Sequence, residues 1–550
     1  MRMRSMNRLA SLFLAFAIVA LPAQAKERRP NLLVIVADDL GYSDIGAFGG
    51  EIATPNLDRL ALAGIRLAGF HTAPTCSPTR SMLLSGTDNH IAGLGTMAEL
   101  IRPNQKGQPG YEGYLRSDVA TLAERLSAGG YRTLFSGKWH LGLTPEQDPH
   151  ARGFQRSFAL LQGGHNHFGT DADPDHGGTA TYTEQGRRIT KLPADFYSSD
   201  YFATRLIDFL AERTGQGSEE PFFAYLAFTA PHWPLQAHPQ DIARYKGRYD
   251  DGFDALRERR LASQRKLGIL AKDVVAHTPR NRDGSWDSLT ADQQRTAARN
   301  MEIYAAMVDR LDQNVGRVLQ TLRASGALDN TIIVFLADNG AEALDVETTG
   351  AEMLGRFAKG ADNSFANRGA ASSYVTYGAG WAQAATAPSW LTKGYQSEGG
   401  TRAVAFISGA GIPRRTGADT QFLSVADIAP TLLEFAGLDP STTRVDGRAV
   451  RPITGRSWTA WLRDPKARVY GANDGFGAEL FGSRSYRRGS WKLTDIGDGI
   501  WRLFDIVRDP GETRDLSLAA PAERQALVEA WEQYKRDVGV VDPDAIPYRP

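Results

Sequence analysis

The chain is predicted to be an α/β protein built on a sheet covered by helices on both faces, and three observations predict it. Asn31 to Ala37 is an unbroken run of apolar, mostly branched residues of the kind buried on both sides of a sheet, and it stops abruptly at Asp38-Asp39. Thr331 to Ala337 repeats the design and stops at Asp338-Asn339-Gly340. Between them Met301, Tyr304, Val308, Leu311, Val315, Val318 and Leu322 recur at three- and four-residue steps, the apolar face of a long helix closed by Gly326. Helices alternating with doubly buried strands require a covered sheet.

Taken in order, residues 1–25 read as a signal peptide. Met1 to Arg8 carries three arginines, the segment Leu9 to Leu21 is nearly all apolar, and Ala23-Gln24-Ala25 is a small-x-small cleavage site. The protein is therefore expected to be periplasmic or secreted. That apolar run is short for a membrane span and no later one is longer, so no span is expected. Residues 26–455 are expected to form the catalytic domain. Beyond about Gly455 short strand-like pieces, Gly482 to Arg487, Ser490 to Thr494 and Trp501 to Ile506, alternate with turns and are followed by an amphipathic helix from Pro521 to Val538. Residues 456–550 are thus expected to be a smaller domain with an antiparallel sheet and a helix. The Arg-, Lys- and Asp-rich stretch from Asp241 to Trp286 is expected to be a helical excursion on the surface, and Gly350 to Ala387 to be loops lining the site entrance. Lys plus Arg and Asp plus Glu number 63 each, so there is no charge footprint for nucleic acid or an anionic membrane.

In sheets of this class ligands collect beyond the carboxyl ends of the strands. Either acidic cluster alone could merely cap a helix or form a turn. Together, Asp38, Asp39, Asp338 and Asn339 put four oxygen-bearing side chains on one sheet edge, where they would repel without a cation. All-oxygen ligation points to calcium or magnesium rather than zinc or copper. Cationic and imidazole groups follow other strand-like runs: Lys138 and His140 after Tyr131 to Ser136, His232 after Phe222 to Phe228, and Lys393 ahead of Ala403 to Ser408. As a set they describe a ring of cations around an anion. His165 and His167, in a Gly-rich loop without a nearby acid, suit support or substrate contact better than metal ligation.

The single cysteine, Cys76, excludes an intrachain disulfide and a Cys-based zinc site. It stands in Cys76-Ser77-Pro78-Thr79-Arg80, with Met82, Leu83 and Leu84 as an apolar face behind it and Pro78 suited to a first helical turn. This places Cys76 at a helix N-terminus, where free N–H groups favour anions.

The pentapeptide, the apolar stretch and Gly86 resemble the signature of the formylglycine-dependent (type I) sulfatases. Asp38-Asp39, Cys76 with Arg80, Lys138-x-His140, His232, Asp338-Asn339 and Lys393 match that family's functional positions in order, and Asp44 to Asn56 matches outside them, closest to the bacterial arylsulfatases. The resemblance implies an alkaline-phosphatase-like fold with a large mixed sheet. It implies hydrolysis of sulfate monoesters, aryl sulfates preferred, to an alcohol or phenol and inorganic sulfate. A maturation enzyme would convert Cys76 to formylglycine, whose gem-diol attacks sulfur to give a covalent sulfate ester. One calcium ion would be held by Asp38, Asp39, Asp338, Asn339 and the residue at 76. By the same resemblance Lys138, Lys393 and His232 bind the sulfate and aid the leaving oxygen, while His140 is the base that expels sulfate and Arg80 orients the diol. The family's proline after Gly-Gly-x-Arg is missing from Gly399-Gly400-Thr401-Arg402, so the turn near Lys393 is expected to differ. Two other functions fit the same residues: a phosphonate monoester or phosphodiester hydrolase of the same chemistry, and, were Cys76 to remain a thiol, a non-catalytic anion-binding protein.

Overall fold

A computed structural model describes residues 28–172, 178–212, 220–279, 284–347 and 360–548. The expected signal peptide and part of the 350–387 stretch lie outside the described residues. A ten-stranded mixed sheet runs in the order Ala418–Asp419, Ile65–Leu67, Ala405–Gly409, Thr331–Ala337, Asn31–Ala37, Phe222–Ala227, Arg132–Lys138, Arg156–Leu160, Tyr182–Glu184 and Arg187–Ile189. Its five central strands, from Thr331–Ala337 to Arg156–Leu160, are parallel, and Ala405–Gly409 lies antiparallel against them. The two runs that predicted the sheet are adjacent and in register, Asn31 opposite Thr331 and Ala37 opposite Ala337, so both acidic clusters leave the sheet side by side. Every residue of both strands is buried, which is why neither alternates in polarity.

The long helix is Ala291–Ala324, started by a capping box in which Thr290 and Gln293 bond each other's backbone N–H. It packs with Pro55–Ala63 and Ser198–Ala211, whereas Cys76–Ser85, Leu122–Ala128 and Ile428–Phe435 pack with one another in a second layer. The last part of the chain holds a four-stranded antiparallel meander, Gly475–Leu480, Ser483–Arg488, Trp491–Asp495 and Arg502–Asp505. The helix Pro521–Val538 covers it, seating Leu527 against Leu493 and Leu503 and the buried Trp531 against Trp501.

The 241–286 stretch differs from expectation. Its helix Gly252–Lys266 is not a surface excursion, because Arg260, 1 % exposed, reaches inward to Asp44 and Glu51. A buried guanidinium needs such partners, and the two acids hold the helix against the loop that follows the first central strand. The 350–387 stretch is not all loop either, since it contains the helix Ala379–Ala385.

Candidate active site

The geometry of the central strands sets the site. Asp38 follows Ala37 with its backbone N–H bonded to the Ala230 carbonyl, and Asp338 follows Ala337 with its N–H bonded to the Ala37 carbonyl. Asp39 then turns through the left-handed region at φ 62°, a conformation that Asp tolerates better than most residues, and its N–H donates to Asp338 Oδ1 at 3.2 Å. Asn339 Nδ2 donates to Asp39 Oδ1 at 2.7 Å.

Three cations close on these carboxylates. Lys138, the last residue of its strand, donates to Asp38 Oδ2 at 2.6 Å. Arg80, on the first turns of Cys76–Ser85, donates through Nε and Nη2 to Asp338 Oδ2 at 2.9 and 2.7 Å and through Nη1 to the Lys138 carbonyl at 2.9 Å. Lys393 Nζ reaches Asp39 at 2.8 Å and Glu342 at 3.2 Å. His232 places Nε2 3.6 Å from Asp39 Oδ2. Asp38, Asp338, Arg80 and Lys138 are all fully buried.

Two acceptors in this cluster are unused. Asp38 Oδ1 and Asn339 Oδ1 are buried without a hydrogen-bond partner, a costly state for oxygens that can only accept. Side-chain ligand atoms of Asp38, Cys76 and Asp338 lie within 4.8 Å of one another, as do those of Asp38, Asp39 and His232. The donor set therefore fits a hard divalent cation held by Asp38, Asp39, Asp338 and Asn339 next to residue 76.

Burial, with the Asp338 and Cys76 charges beside it, pushes the Asp38 carboxyl well above the usual range against the pull of Lys138 and Arg80. At Asp39 burial works the same way but is outweighed by Lys393, His232 and Lys138, which bring it to about 2. Burial, helped by Lys393 and Lys138, pushes the His232 ring well below its ordinary value despite Asp39. Its Nδ1 lies 2.6 Å from the Trp233 carbonyl, which can only accept, and this fixes the proton on Nδ1. Nε2 and the Lys393 ammonium both approach Asp39. Counting Arg80, Lys138 and Lys393 against Asp38, Asp39, Asp338 and Glu342, the cluster carries one net negative charge, and a divalent cation would turn it into a site for an anion.

Cys76 is the first residue of its helix and is buried. The hydroxyls of Thr75 and Ser77 beside it are buried and unpartnered, so polar capacity is left at that helix start. The sequence-derived residues Asp38, Asp39, Cys76, Arg80, Lys138, His232, Asp338, Asn339 and Lys393 thus come together. His140 departs from this network: it turns at φ 58° and bonds Glu99 Oε1 through Nε2 at 2.8 Å, with Nδ1 buried and unpartnered. His165 and His167 lie behind His232, His165 bonding Thr229 at 2.8 Å and His167 donating to the His232 carbonyl at 2.9 Å while accepting from Ser198 at 2.8 Å.

Sequence reasoning missed Glu99, Glu342 and Tyr548, whose hydroxyl donates to Glu342. Glu342, three residues past Asn339, stood close enough to a motif to be noticed. Nothing local marked the other two.

The sulfatase family model matches residues 30–438. The chain belongs to the sulfatase family. This sulfatase is 46 % identical over 540 residues to an uncharacterized sulfatase of Schizosaccharomyces pombe, covering 95 % of this chain and 96 % of that one. It is 42 % identical over 443 residues to the arylsulfatase of Klebsiella aerogenes, covering 79 % of this chain and 92 % of that one. It is a sulfuric ester hydrolase, which displaces the non-catalytic reading. Among solved structures it is similar in fold to Ps i-CgsB in complex with a neocarrahexaose (TM-score 0.66, 22 % identity, covering 94 % and 95 % of the two chains). It also resembles the phosphonate monoester hydrolase of Agrobacterium radiobacter (TM-score 0.54, 19 % identity, covering 93 % and 96 %), and the alkaline-phosphatase-like fold is thereby established.

Proposed function

We propose that this sulfatase is a periplasmic or secreted arylsulfatase that acts through a formylglycine made from Cys76 by a maturation enzyme, with one calcium ion. The observation that carries this reading is the pair of unpartnered buried oxygens, Asp38 Oδ1 and Asn339 Oδ1, in a cluster where ligand atoms of Asp38, Asp338 and Cys76 lie within 4.8 Å of one another. Asp38, Asp39, Asp338 and Asn339 would hold the calcium, which would supply Lewis-acid activation beside residue 76, where a hydrated formylglycine would supply a hydroxyl nucleophile.

The chain's own groups do the rest. Lys138 and Lys393 bind sulfate oxygens, and each aimed donor of this kind contributes about 3–4 kcal/mol toward the transition state. Arg80, locked by three hydrogen bonds, fixes the orientation of residue 76. His140 is the base for release of sulfate, its unpartnered Nδ1 being free to take a proton once Glu99 holds Nε2. His232 and Lys393 line the leaving-group side, and the Lys393 ammonium meets the negative charge developing on the departing oxygen. A phenolate, a better leaving group than an alkoxide, asks less of that single donor, and this favours aryl sulfates.

A peptide mass spectrum of Leu67 to Arg80 tests the nucleophile. A side chain converted from thiol to aldehyde supports the reading, and an unmodified thiol in fully active enzyme defeats it. Initial rates on nitrophenyl sulfate, phenylphosphonate and bis-nitrophenyl phosphate test the substrate, rates favouring phosphorus overturning the sulfate preference.

A further inference from the structure

The segment after the last helix crosses the molecule and ends against the site. Its first part is tied to the loop that follows Glu99. Tyr111 Oη accepts from the Val541 N–H at 2.9 Å, Gln105 Nε2 donates to the Val541 carbonyl at 2.9 Å, and Asn104 Nδ2 donates to the Asp542 carbonyl at 2.8 Å. The Asp544 N–H donates to Asn104 Oδ1 at 3.1 Å, and Arg102 pairs with Asp544 at 2.8 Å. The chain continues past Ile546, whose side chain packs near Gly482 and Gly497, and brings the Tyr548 ring to 5.8 Å from Phe481. This much fastening delivers one hydroxyl to one carboxylate, that of Glu342.

Glu342 is 4 % exposed and borders the same small cavity as Asp39 and His232. Its oxygens have divided duties. Oε1 accepts from the Tyr548 hydroxyl and from the Leu344 N–H at 2.9 Å, and Oε2 faces Lys393 Nζ at 3.2 Å. Lys393 is in turn shared between Glu342 and Asp39. Without the hydroxyl, Oε1 keeps only the Leu344 N–H, the carboxylate is held less firmly, and the direction in which it draws the ammonium shifts. Burial and the Glu342 charge push the Tyr548 phenol well above its ordinary pKa, so it remains a donor at working pH.

We propose that Tyr548, acting through Glu342, is a positioning residue for Lys393, and that the 541–548 segment thereby sets how well the enzyme expels poor leaving groups. This rests on the reading in which Lys393 meets the departing oxygen. The need for a well-placed ammonium grows with the charge left on that oxygen, so disturbance of Lys393 is felt least with nitrophenolate and most with unactivated phenolate.

The test compares the full-length enzyme with Tyr548→Phe, which keeps the ring against Phe481, and with Glu342→Gln, measuring kcat and KM on a series of aryl sulfates graded by leaving-phenol pKa. Tyr548→Phe is expected to change kcat/KM on nitrophenyl sulfate by no more than about twofold and to lower it on phenyl sulfate by about tenfold, through kcat rather than KM, the loss of one hydrogen bond to a charged group. Glu342→Gln is expected to steepen the same dependence. A rate lowered by one common factor across the series, or unchanged throughout, overturns the positioning role while the wild-type slope leaves the arylsulfatase reading intact. No turnover of any aryl sulfate by aldehyde-bearing wild-type enzyme overturns both.

Discussion

Asp38→Asn isolates the cation site from the rest of the fold. The substitution preserves side-chain volume and the acceptor facing Lys138 at 2.6 Å, but replaces an oxygen without a hydrogen-bond partner by a neutral amide. Binding a ligand at a thousandfold above its Kd stabilises the folded state by about 4.1 kcal/mol. With an unfolding entropy near 2.1 cal/mol/K per residue, a chain of 550 residues loses about 1.2 kcal/mol per degree, so saturating calcium should raise Tm by about 3.5 °C over chelated enzyme. Removing a charged ligand should weaken binding by at least about a hundredfold, the upper end seen for outer-shell partners, leaving about 1.4 kcal/mol, or roughly 1 °C. The assay is thermal unfolding of wild type and variant at matched calcium and in excess chelator. The reasoning is refuted if calcium stabilises Asp38→Asn by as many degrees as wild type, or if chelation leaves wild type unmoved.

Three further outcomes follow from particular contacts. Glu99→Gln keeps an acceptor for His140 but removes its charge, and should slow steady-state turnover by about tenfold while leaving the first-turnover burst of phenol intact; a burst slowed equally would remove His140 from sulfate release. Gly137→Ala would set a Cβ 1.8 Å from the Ala227 carbonyl at a φ of 129°, forcing apart the strands that carry Lys138 and lead to His232, and should cost more than about 4 kcal/mol in urea unfolding; a near-native midpoint would contradict the packing. At His90, burial favours the neutral ring, but hydrogen bonds to Asp88 and Glu479 raise its pKa to about 9. A raised histidine stabilises fully below its unfolded pKa near 6.5 and loses that contribution as pH climbs through 9, so wild type should exceed His90→Gln by about 3 kcal/mol at pH 6 and by little above pH 10, a gap that unfolding at the two pH values would show to be wrong if it stayed constant.

The sequence was readable where topology forces a consequence. Asn31–Ala37 and Thr331–Ala337 could only be doubly buried strands, and parallel neighbours in register must release their next residues at the same edge, so Asp38, Asp39, Asp338 and Asn339 met without any knowledge of the loops. Lys138 and His232 were readable for the same reason, each standing at or just past a central strand. The helix Gly252–Lys266 was misplaced because charge density looks like exposure until a partner is known, and Asp44 lies 216 residues from Arg260. Glu99 and Tyr548 were illegible on different grounds: Glu99 lies in a three-residue 3-10 helix too short to show a period, and Tyr548 reaches Glu342 across 206 residues from a segment outside any helix or strand. The groups that bear charge at the reaction centre are fixed by the sheet, whereas those that aim them come from loops whose course depends on the finished fold. Specificity should therefore diverge among sulfatases at positions such as Glu99 and Tyr548 before it diverges at the strand ends, because a loop can be rebuilt without breaking the register that brings the acidic residues together.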